Sequence, residues 1–280
     1  MTAQLPFSLS SAVRVYHWRH VVLLEGKVVI VTGAGRGLGR AIALRCGQEG
    51  AHLVLAGRTV AELEQVATEL REFGARAVVV AADVRDVEST EAMAARAVAE
   101  FGGVDVLVAN SGIAGPTAPL WEVDPADWEE TFAVNVRGVF LACRAVLPDM
   151  VQRGSGSIVV VGSMSGKRPL ANRTPYASSK MALVGLTRTL AAETGPFGVR
   201  VNLVSPGPVN GPRLENVLRE QARLSGRTVE DVRVDFSRDS PLRRLVEPEQ
   251  VAATVVFLAS DEAAAITGDD LNVNTGIAMY

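Results

Sequence analysis

Residues 27–39 read KVVIVTGAGRGLG, an apolar, β-branched run that passes directly into four closely spaced glycines. An uninterrupted run of valine and isoleucine is typical of a strand that is buried on both faces. Residues 37–47 have helical spacing of apolar side chains, so the glycines join a strand to a helix. Glycine permits a tight turn and a close approach of the backbone to a ligand. The stretch therefore predicts a strand–turn–helix unit whose turn can receive a ligand.

The same alternation continues along the chain. Further strands are predicted at 53–56, 77–81, 104–109, 157–161 and 199–204, and further helices at 60–73, 87–101, 125–150 and 175–193. We expect the 125–150 helix to be broken near 125–127 and again at Pro148, because proline disrupts helices. Continuous apolar strands separated by amphipathic helices predict a parallel sheet covered on both faces. The predicted fold is α/β: one Rossmann-type domain, residues 25–280, with a seven-stranded parallel sheet.

Two segments depart from this pattern. Residues 1–24 lack the long apolar stretch of a signal peptide. We interpret them as a flexible extension or an over-called start, with a docking arm for a partner subunit as the alternative. Residues 208–247 are polar and rich in arginine, with helical stretches such as 213–224. Because ligands bind at the carboxyl ends of the strands in such sheets, we interpret this insertion as a lid over the substrate; a plain surface excursion is the alternative.

Composition excludes several classes of function. The net charge of −3 argues against a nucleic-acid partner, and no apolar run approaches the length of about 20 residues that spans a bilayer. Cys46 and Cys143 lie far apart, and the sequence contains no Cys/His cluster for a metal. We interpret both cysteines as buried apolar residues of a reducing compartment, and we expect a cytoplasmic protein without a membrane or metal partner.

The glycine turn and the end of the second strand together predict a dinucleotide cofactor. A helix N-terminus after a glycine turn offers free N–H groups to a pyrophosphate. An NAD site usually carries an acidic residue at the end of the second strand for the ribose 2′-hydroxyl, whereas this chain has Gly57-Arg58. A guanidinium binds a 2′-phosphate well, and Arg36 would add a second charge, so we predict a preference for NADP(H). The alternative is a solvated Arg58 with NAD(H) bound through other groups.

A candidate acid–base pair lies in the predicted 175–193 helix. Tyr176 and Lys180 are four residues apart and so share one helix face. The ordinary pKa of a tyrosine is about 10, and a nearby ammonium together with an oxidised nicotinamide ring would lower it. Ser163, which lies 13 residues before the tyrosine at the end of a strand, can donate a hydrogen bond to a substrate oxygen; Ser165 is the rival hydroxyl. The set predicts general acid–base catalysis.

Taken in order, these motifs resemble the short-chain dehydrogenase/reductase family in its single-domain, NAD(P)-dependent form. The resemblance runs from about residue 24 to the C-terminus and rests on residues 32–39, Asn110-Ser111-Gly112, Asn135, Ser163, Tyr176 with Lys180, and Pro206-Gly207. The chain departs from the family pattern at Ala109, at Gly211, where a threonine that contacts the cofactor is common, and at Asn274-Thr275-Gly276.

The resemblance implies roles for the matching positions. Tyr176 would transfer the proton, Ser163 would hold the carbonyl oxygen, Lys180 would bond the nicotinamide ribose, and Asn135 would fix a water in the proton path. Asp83 would bond the adenine, unless it merely caps the helix that starts near Asp86. The full set of expected cofactor contacts is Gly33, Gly35, Arg36, Gly37, Leu38, Gly39, Arg58, Asp83, Val84, Asn110, Gly112, Tyr176, Lys180, Pro206, Gly207 and Val209.

The expected reaction is the interconversion of a ketone or aldehyde and a secondary alcohol. An NAD-preferring dehydrogenase and a non-catalytic dinucleotide sensor are the alternatives. The resemblance also implies a homotetramer or a dimer. Four basic residues lie near the rim of the expected substrate pocket: Lys167, Arg168, Arg173 and Arg213. We interpret them as a solvated basic face, with attraction of an anionic substrate as the open alternative.

Overall fold

A seven-stranded parallel sheet forms the centre of the protein. The computed structural model describes residues 22–279, and its strands follow the order β3-β2-β1-β4-β5-β6-β7. The strands are β1 (Val28–Thr32), β2 (His52–Gly57), β3 (Ala77–Ala81), β4 (Val106–Ala109), β5 (Gly156–Val161), β6 (Val199–Pro206) and β7 (Asp270–Val273). The predicted α/β class, the Rossmann arrangement and the seven parallel strands are confirmed.

Nine α-helices cover the sheet and its carboxyl edge within the described range. They are α1 (Gly37–Gln48), α2 (Val60–Glu72), α3 (Val87–Phe101), α4 (Pro125–Phe132), α5 (Gly138–Arg153), α6 (Thr174–Thr194), α7 (Pro212–Ser225), α8 (Val229–Arg238) and α9 (Pro248–Ala259). A π-helical turn, Ala133–Arg137, connects α4 to α5 without interruption, and a short 3₁₀ turn, Met164–Gly166, follows β5.

The core has one layer on each face of the sheet. In β1, Val29 and Val31 pack with α1, α2 and α9, whereas Val28 and Ile30 pack with α3, α5 and α6. Successive side chains of a strand point to opposite faces, so a strand that is covered on both sides must be apolar throughout. This explains the continuous apolar run from which the fold was predicted. Cys46 and Cys143 are buried thiols, one in each layer, as predicted.

The expected breaks in the 125–150 helix are wrong. Pro125 is the first residue of α4, where a proline costs no hydrogen bond, and the side chain of Asp124 caps the helix by accepting from the Ala126 N–H. At Pro148 the helix continues to Arg153. Pro148 and Arg144, whose carbonyl loses its partner, are both exposed to solvent, so water can replace that bond. The irregularity lies instead at the π-helical turn.

The segment from Pro125 to Arg153 is, in the described part of the chain, the one helix long and apolar enough to cross a membrane by length and composition. Half of its most apolar window is buried inside the domain, which is also what a core helix shows. Its buried residues include Val146 and Met150, which pack in the layer formed with α3 and α6.

The two segments outside the repeat are described to different extents. Leu24 is fully buried in the core and donates its N–H to the Glu49 carbonyl, so the chain joins the domain slightly before the predicted boundary. The rest of the predicted extension, residues 1–21, lies outside the described residues. The 208–247 insertion forms α7 and α8, which pack on each other through Leu214, Leu218, Ala222 and Val232. A single bridge, Val209 to Val246, ties its two ends together.

Candidate active site

The glycine turn between β1 and α1 brings helix and strand unusually close. Gly33 and Gly37 have positive φ angles of 68° and 54°, which L side chains rarely adopt. A β-carbon on Gly39 would lie 2.1 Å from the Gly33 carbonyl oxygen and 2.5 Å from Nδ2 of Asn110. A larger residue at position 39 would therefore push α1 away from the turn.

The N-terminus of α1 is open. Arg36, its N-cap residue, has extended backbone and makes no side-chain cap, so the first-turn N–H groups at Gly37, Leu38 and Gly39 face outward with the positive end of the helix dipole. Glu62, which the sequence analysis did not single out, lies beside this turn. A β-carbon on Gly35 would be 2.9 Å from Cβ and 3.2 Å from Oε2 of Glu62.

Asn110 links the glycine turn to the centre of the sheet. Its backbone N–H donates to Oγ1 of Thr32 at 3.0 Å, and its side-chain Nδ2 donates to the Thr32 carbonyl at 2.9 Å. Gly112 follows within the same loop, where an added β-carbon would be 3.1 Å from Oδ1 of Asn135 and 3.6 Å from Nζ of Lys180. The loop therefore runs from the predicted cofactor turn to the predicted catalytic residues.

The side chains of Arg36 and Arg58 are exposed beside the glycine turn and the end of β2, and neither makes a hydrogen bond or a salt bridge within residues 22–279. The charge of Arg58 does help to lower the pKa of Asp83. Asp83 is occupied by Arg85, whose guanidinium hydrogen-bonds it and lowers its pKa to about 2. The capping alternative for Asp83 is wrong. Asp86 caps α3 by accepting the Ser89 N–H at 2.9 Å, because it is the residue immediately before the helix.

The remaining predicted cofactor residues lie at the carboxyl edge of the sheet. Val84 is buried against Gly138. Pro206 ends β6, and Gly207 donates its N–H to the Val273 carbonyl at 2.9 Å. Val209 forms the bridge that closes the base of the 208–247 insertion.

The structure brings Ser163, Tyr176 and Lys180 together. Ser163 immediately follows β5, whereas Tyr176 and Lys180 lie on the first two turns of α6. The Ser163 hydroxyl lies near enough to the Tyr176 phenol to lower its pKa, and Nζ of Lys180 lies 5.9 Å from the Tyr176 ring centre. Ser165 only donates its backbone N–H to the Ser163 hydroxyl, at 3.1 Å, so the geometry favours Ser163 over its rival.

The Tyr176 phenol is surrounded by cations. Burial is the largest single influence and acts to raise its pKa, but the charges of Lys180, Arg213 and Arg173, with the Ser163 hydrogen bond, together hold the pKa below its usual value. Arg173 stacks on the ring with its guanidinium carbon 5.0 Å from the centre. Burial has the opposite effect on Lys180, where it lowers the pKa of the ammonium. Nζ of Lys180 donates a hydrogen bond to the Val161 carbonyl at 2.8 Å.

Asn135 lies in the π-helical turn and is completely buried. Its Oδ1 accepts the Ile113 N–H at 2.8 Å, and its Nδ2 donates to the Ile113 carbonyl and to the Ser179 hydroxyl, each at 3.0 Å. The amide therefore joins the 110–113 loop to the helix that carries Tyr176 and Lys180. Both amide donors are used in this linkage.

Arg173 and Arg213 were predicted only as rim residues, whereas both lie close enough to the Tyr176 phenol to influence its pKa. Arg173 is three residues before Tyr176 in sequence, which was a usable signal. Arg213 comes from the insertion, and its guanidinium donates to the Gly112 carbonyl at 2.6 Å. No local pattern could have indicated that contact, because 101 residues separate the partners.

Comparison with known proteins identifies the family. A family profile described as enoyl-(acyl carrier protein) reductase matches residues 33–278. "Cis-4-hydroxycyclohexanecarboxylate dehydrogenase" of Sinomonas cyclohexanicum is 39% identical over 89% of this chain and 96% of its own length. "Dehydrogenase/reductase SDR family member 4" of Pongo abelii is 36% identical over 90% of this chain and 88% of its own. The chain belongs to the short-chain dehydrogenase/reductase family.

As a short-chain dehydrogenase/reductase, the protein is an oxidoreductase that acts on CH–OH donors. The solved structure of NAD⁺-bound xylitol dehydrogenase is similar to it, with a TM-score of 0.88 and 31% identity over 90% of this chain and 99% of that one. The resemblance predicted from the motifs is thus confirmed.

Proposed function

We propose that this short-chain dehydrogenase/reductase interconverts a ketone or aldehyde and a secondary alcohol, with NADP(H) as cofactor and Tyr176 as general acid and base. One observation carries the proposal: the Tyr176 phenol lies close to Ser163 and beside three cationic side chains, which hold its pKa below the usual value. Such a phenol exchanges a proton near neutral pH more readily than an ordinary tyrosine.

The residues present fit a dinucleotide. The glycine turn is a backbone surface where an added side chain is excluded at Gly39, and the uncapped N-terminus of α1 offers N–H donors to a pyrophosphate. Residues 33–39 would hold the phosphates, Asp83 and Val84 the adenine, and Asn110, Gly112, Lys180, Pro206, Gly207 and Val209 the nicotinamide end. The bound cofactor would supply or accept the hydride.

The preference for NADP(H) rests on Arg58 and Arg36. Both guanidiniums are exposed and form no salt bridge within the described chain, so both remain available to a 2′-phosphate, although the charge of Arg58 also acts on Asp83. NAD(H) is the second candidate, and two observations favour it: Glu62 places a carboxylate beside Gly35, and the similar xylitol dehydrogenase structure carries NAD⁺. Direct measurement of the two efficiencies decides between them.

In the direction of reduction, Ser163 holds the substrate oxygen by a hydrogen bond and Tyr176 donates its proton to that oxygen. The ammonium of Lys180, with Arg173 and Arg213, stabilises the phenolate that remains. In oxidation the phenolate accepts the alcohol proton instead. Asn135 acts as a positioning residue that joins the 110–113 loop to α6. Both N–H donors of its amide are already used, so a water in the proton path would bind the amide oxygen of Asn135 or a neighbouring group.

Three further expectations belong to this proposal. The 208–247 insertion acts as a lid, since Arg213 reaches from it to the Gly112 carbonyl. The extension predicted over residues 1–24 stays a proposal, since residues 1–21 lie outside the described range. The protein works as a homo-oligomer, a tetramer or a dimer, in the cytoplasm. Light scattering of the purified full chain tests the assembly.

A carbonyl panel tests the proposal. Cyclic and linear ketones and aldehydes are incubated with NADPH or NADH, and cofactor oxidation is followed by the loss of absorbance of the reduced nicotinamide. We expect turnover of at least one ketone and a higher kcat/KM with NADPH. Absence of turnover with every carbonyl, and with the corresponding alcohols and oxidised cofactors, would overturn the proposal.

A further inference from the structure

The four basic residues at the rim of the site differ in how their charges are balanced. Lys167 pairs with Asp270 at 2.8 Å, and Arg168 pairs with Asp239 at 2.9 Å. Arg173 and Arg213 pair with no carboxylate in the described part of the chain. The basic rim is therefore two neutralised pairs and two uncompensated guanidiniums, and both of the latter lie beside Tyr176.

Arg173 is buried without a counterion. Only 3% of its surface is exposed, and its terminal nitrogens donate to neutral oxygens, Oγ1 of Thr117 at 2.9 Å and the Ala114 carbonyl at 2.8 Å. Its buried Nε has no hydrogen-bond partner within residues 22–279. Burial of a charge is costly unless the charge is paired and all its donors are satisfied. This guanidinium therefore has both a charge and a donor to offer.

Arg213 has no carboxylate partner within residues 22–279, because the acidic side chains near it in sequence are paired with other groups. The acidic side chains of the 208–247 insertion bind other groups: Glu215 binds Arg233, Glu220 binds Arg223, Glu230 binds Arg233, Asp231 binds Thr228, Asp235 binds Arg227, Asp239 binds Arg168, and Glu247 binds Asn210. Arg213 instead donates to the neutral Gly112 carbonyl. A β-carbon on Gly112 would lie 3.6 Å from Nζ of Lys180, so this contact places Arg213 close to the Tyr176–Lys180 pair, and its charge influences the pKa of Arg173, Tyr176 and Lys180.

We propose that the substrate carries a carboxylate, which pairs with Arg213 and with the buried guanidinium of Arg173. The inference rests on the proposed function and specifies its substrate class. A guanidinium is suited to a carboxylate because its planar set of donors matches the two oxygens. The phosphates of a dinucleotide are assigned to the glycine turn, and an oxidised nicotinamide would add positive charge, so the cofactor does not balance these cations.

This pairing would also select among substrates. A site built to bind a charged group rejects an analogue without that group, because its own polar atoms are then left unpaired. We therefore expect discrimination between a keto acid and a neutral compound of the same shape. The reacting carbonyl is the same in the keto acid and in its neutral analogue, so a difference in kcat/KM between them reports only on the carboxylate.

The test compares 4-oxocyclohexanecarboxylate with 4-oxocyclohexanecarboxamide at saturating reduced cofactor, using the full-length enzyme at pH 7. The measured quantity is the ratio of kcat/KM for the acid to kcat/KM for the amide. We expect the parent enzyme to favour the acid at least tenfold. The ratio should fall several-fold in Arg213→Gln, where only Arg173 is left to pair with the carboxylate, and recover in part in Arg213→Lys. Common effects of the variant on the chemistry cancel in the ratio.

Arg219→Gln is the matched control. Arg219 lies on the same helix, α7, is exposed, and hydrogen-bonds Asn216 rather than the site, so its removal changes the net charge equally. The ratio should not change in that variant. Added salt should lower the ratio of the parent enzyme, because it screens charges at exposed groups such as Arg213.

The outcomes separate the two proposals. An enzyme that reduces the amide as efficiently as the acid, or an Arg213→Gln variant with the parent's ratio, overturns the carboxylate inference and leaves the proposed function standing. An enzyme that turns over no carbonyl compound overturns both. A preference for the acid that Arg213→Gln lowers and Arg219→Gln retains supports both.

Discussion

Nζ of Lys180 lies 5.9 Å from the centre of the Tyr176 ring and donates a 2.8 Å hydrogen bond to the Val161 carbonyl. The ammonium is thus held by the end of β5, the strand that also leads into Ser163. One strand end therefore fixes both the cation and the hydroxyl that lie beside the phenol. The mechanism proposed above depends on this arrangement.

The pH dependence of oxidation should depend on Arg213. Alcohol oxidation needs the Tyr176 phenolate, so its rate should rise with pH and level off above a Tyr176 pKa that is lower than usual. Arg213→Gln removes a positive charge that favours the phenolate, so the rising limb should move to higher pH. The measurement is kcat/KM against pH with an uncharged secondary alcohol. Arg219→Gln should keep the parent profile, and a shift of Arg213→Gln to lower pH would contradict the account.

Replacement of Arg58 should change the choice of cofactor. In Arg58→Asp a carboxylate replaces the group assigned to the 2′-phosphate, so KM for NADPH should rise about 10- to 100-fold, the value of one lost charge-assisted hydrogen bond. KM for NADH should stay the same or fall. Arg96→Asp, an exposed arginine of α3, serves as the control and should change neither constant. An unchanged ratio of NADPH to NADH efficiency would refute the assignment.

The glycine turn offers a paired test of cofactor binding. Gly39→Ala places a methyl group 2.1 Å from the Gly33 carbonyl oxygen, so the turn must shift, and Kd for the cofactor should rise at least about tenfold with some loss of stability. Gly185→Ala on α6 meets open space and should bind normally, with stability unchanged or higher by up to about 1 kcal/mol. Titration of nicotinamide fluorescence measures both. Equal cofactor affinity in Gly39→Ala and Gly185→Ala would show that the glycine turn does not bind the cofactor.

Asn135 should matter for stability as well as activity. Asn135→Ala removes three hydrogen bonds from a fully buried position and leaves the Ile113 backbone groups unpaired. The free energy of unfolding should fall by about 2–4 kcal/mol, which corresponds to a fall in Tm of roughly 5–12 °C in a domain of this size. Calorimetry checks this, with the exposed Asn216→Ala as control. A Tm within a degree of the parent would show that the amide does not hold loop and helix together.

Local patterns were sufficient to predict most of the fold. The run at 27–32 predicted β1 because a strand covered on both faces must be apolar at every position, and Ala77–Ala81 and Val87–Phe101 agree with their predicted bounds. Pro148 was misjudged because the effect of a proline depends on whether the broken hydrogen bond faces solvent, which sequence alone does not state. The π-helical turn at Asn135 has no comparable periodic signal.

The candidate site was predicted less completely than the fold. Ser163, Tyr176 and Lys180 could be grouped because their spacing is diagnostic and they lie at one strand end and on one helix. Arg213 could not be grouped with them, because its position depends on how the 208–247 insertion folds over the loop at Gly112. The pairing of Lys167 and Arg168 with distant acids was hidden for the same reason, so the sequence could not separate neutralised cations from free ones.

The most direct test of the central claim is the rate of carbonyl reduction by Tyr176→Phe, measured beside its affinity for the reduced cofactor. The variant keeps the ring on which Arg173 stacks and loses only the hydroxyl. We predict that kcat falls about 100- to 10,000-fold, the usual contribution of a positioned acid, while cofactor binding is retained. A variant that binds the cofactor and reduces the ketone as fast as the parent would contradict the mechanism.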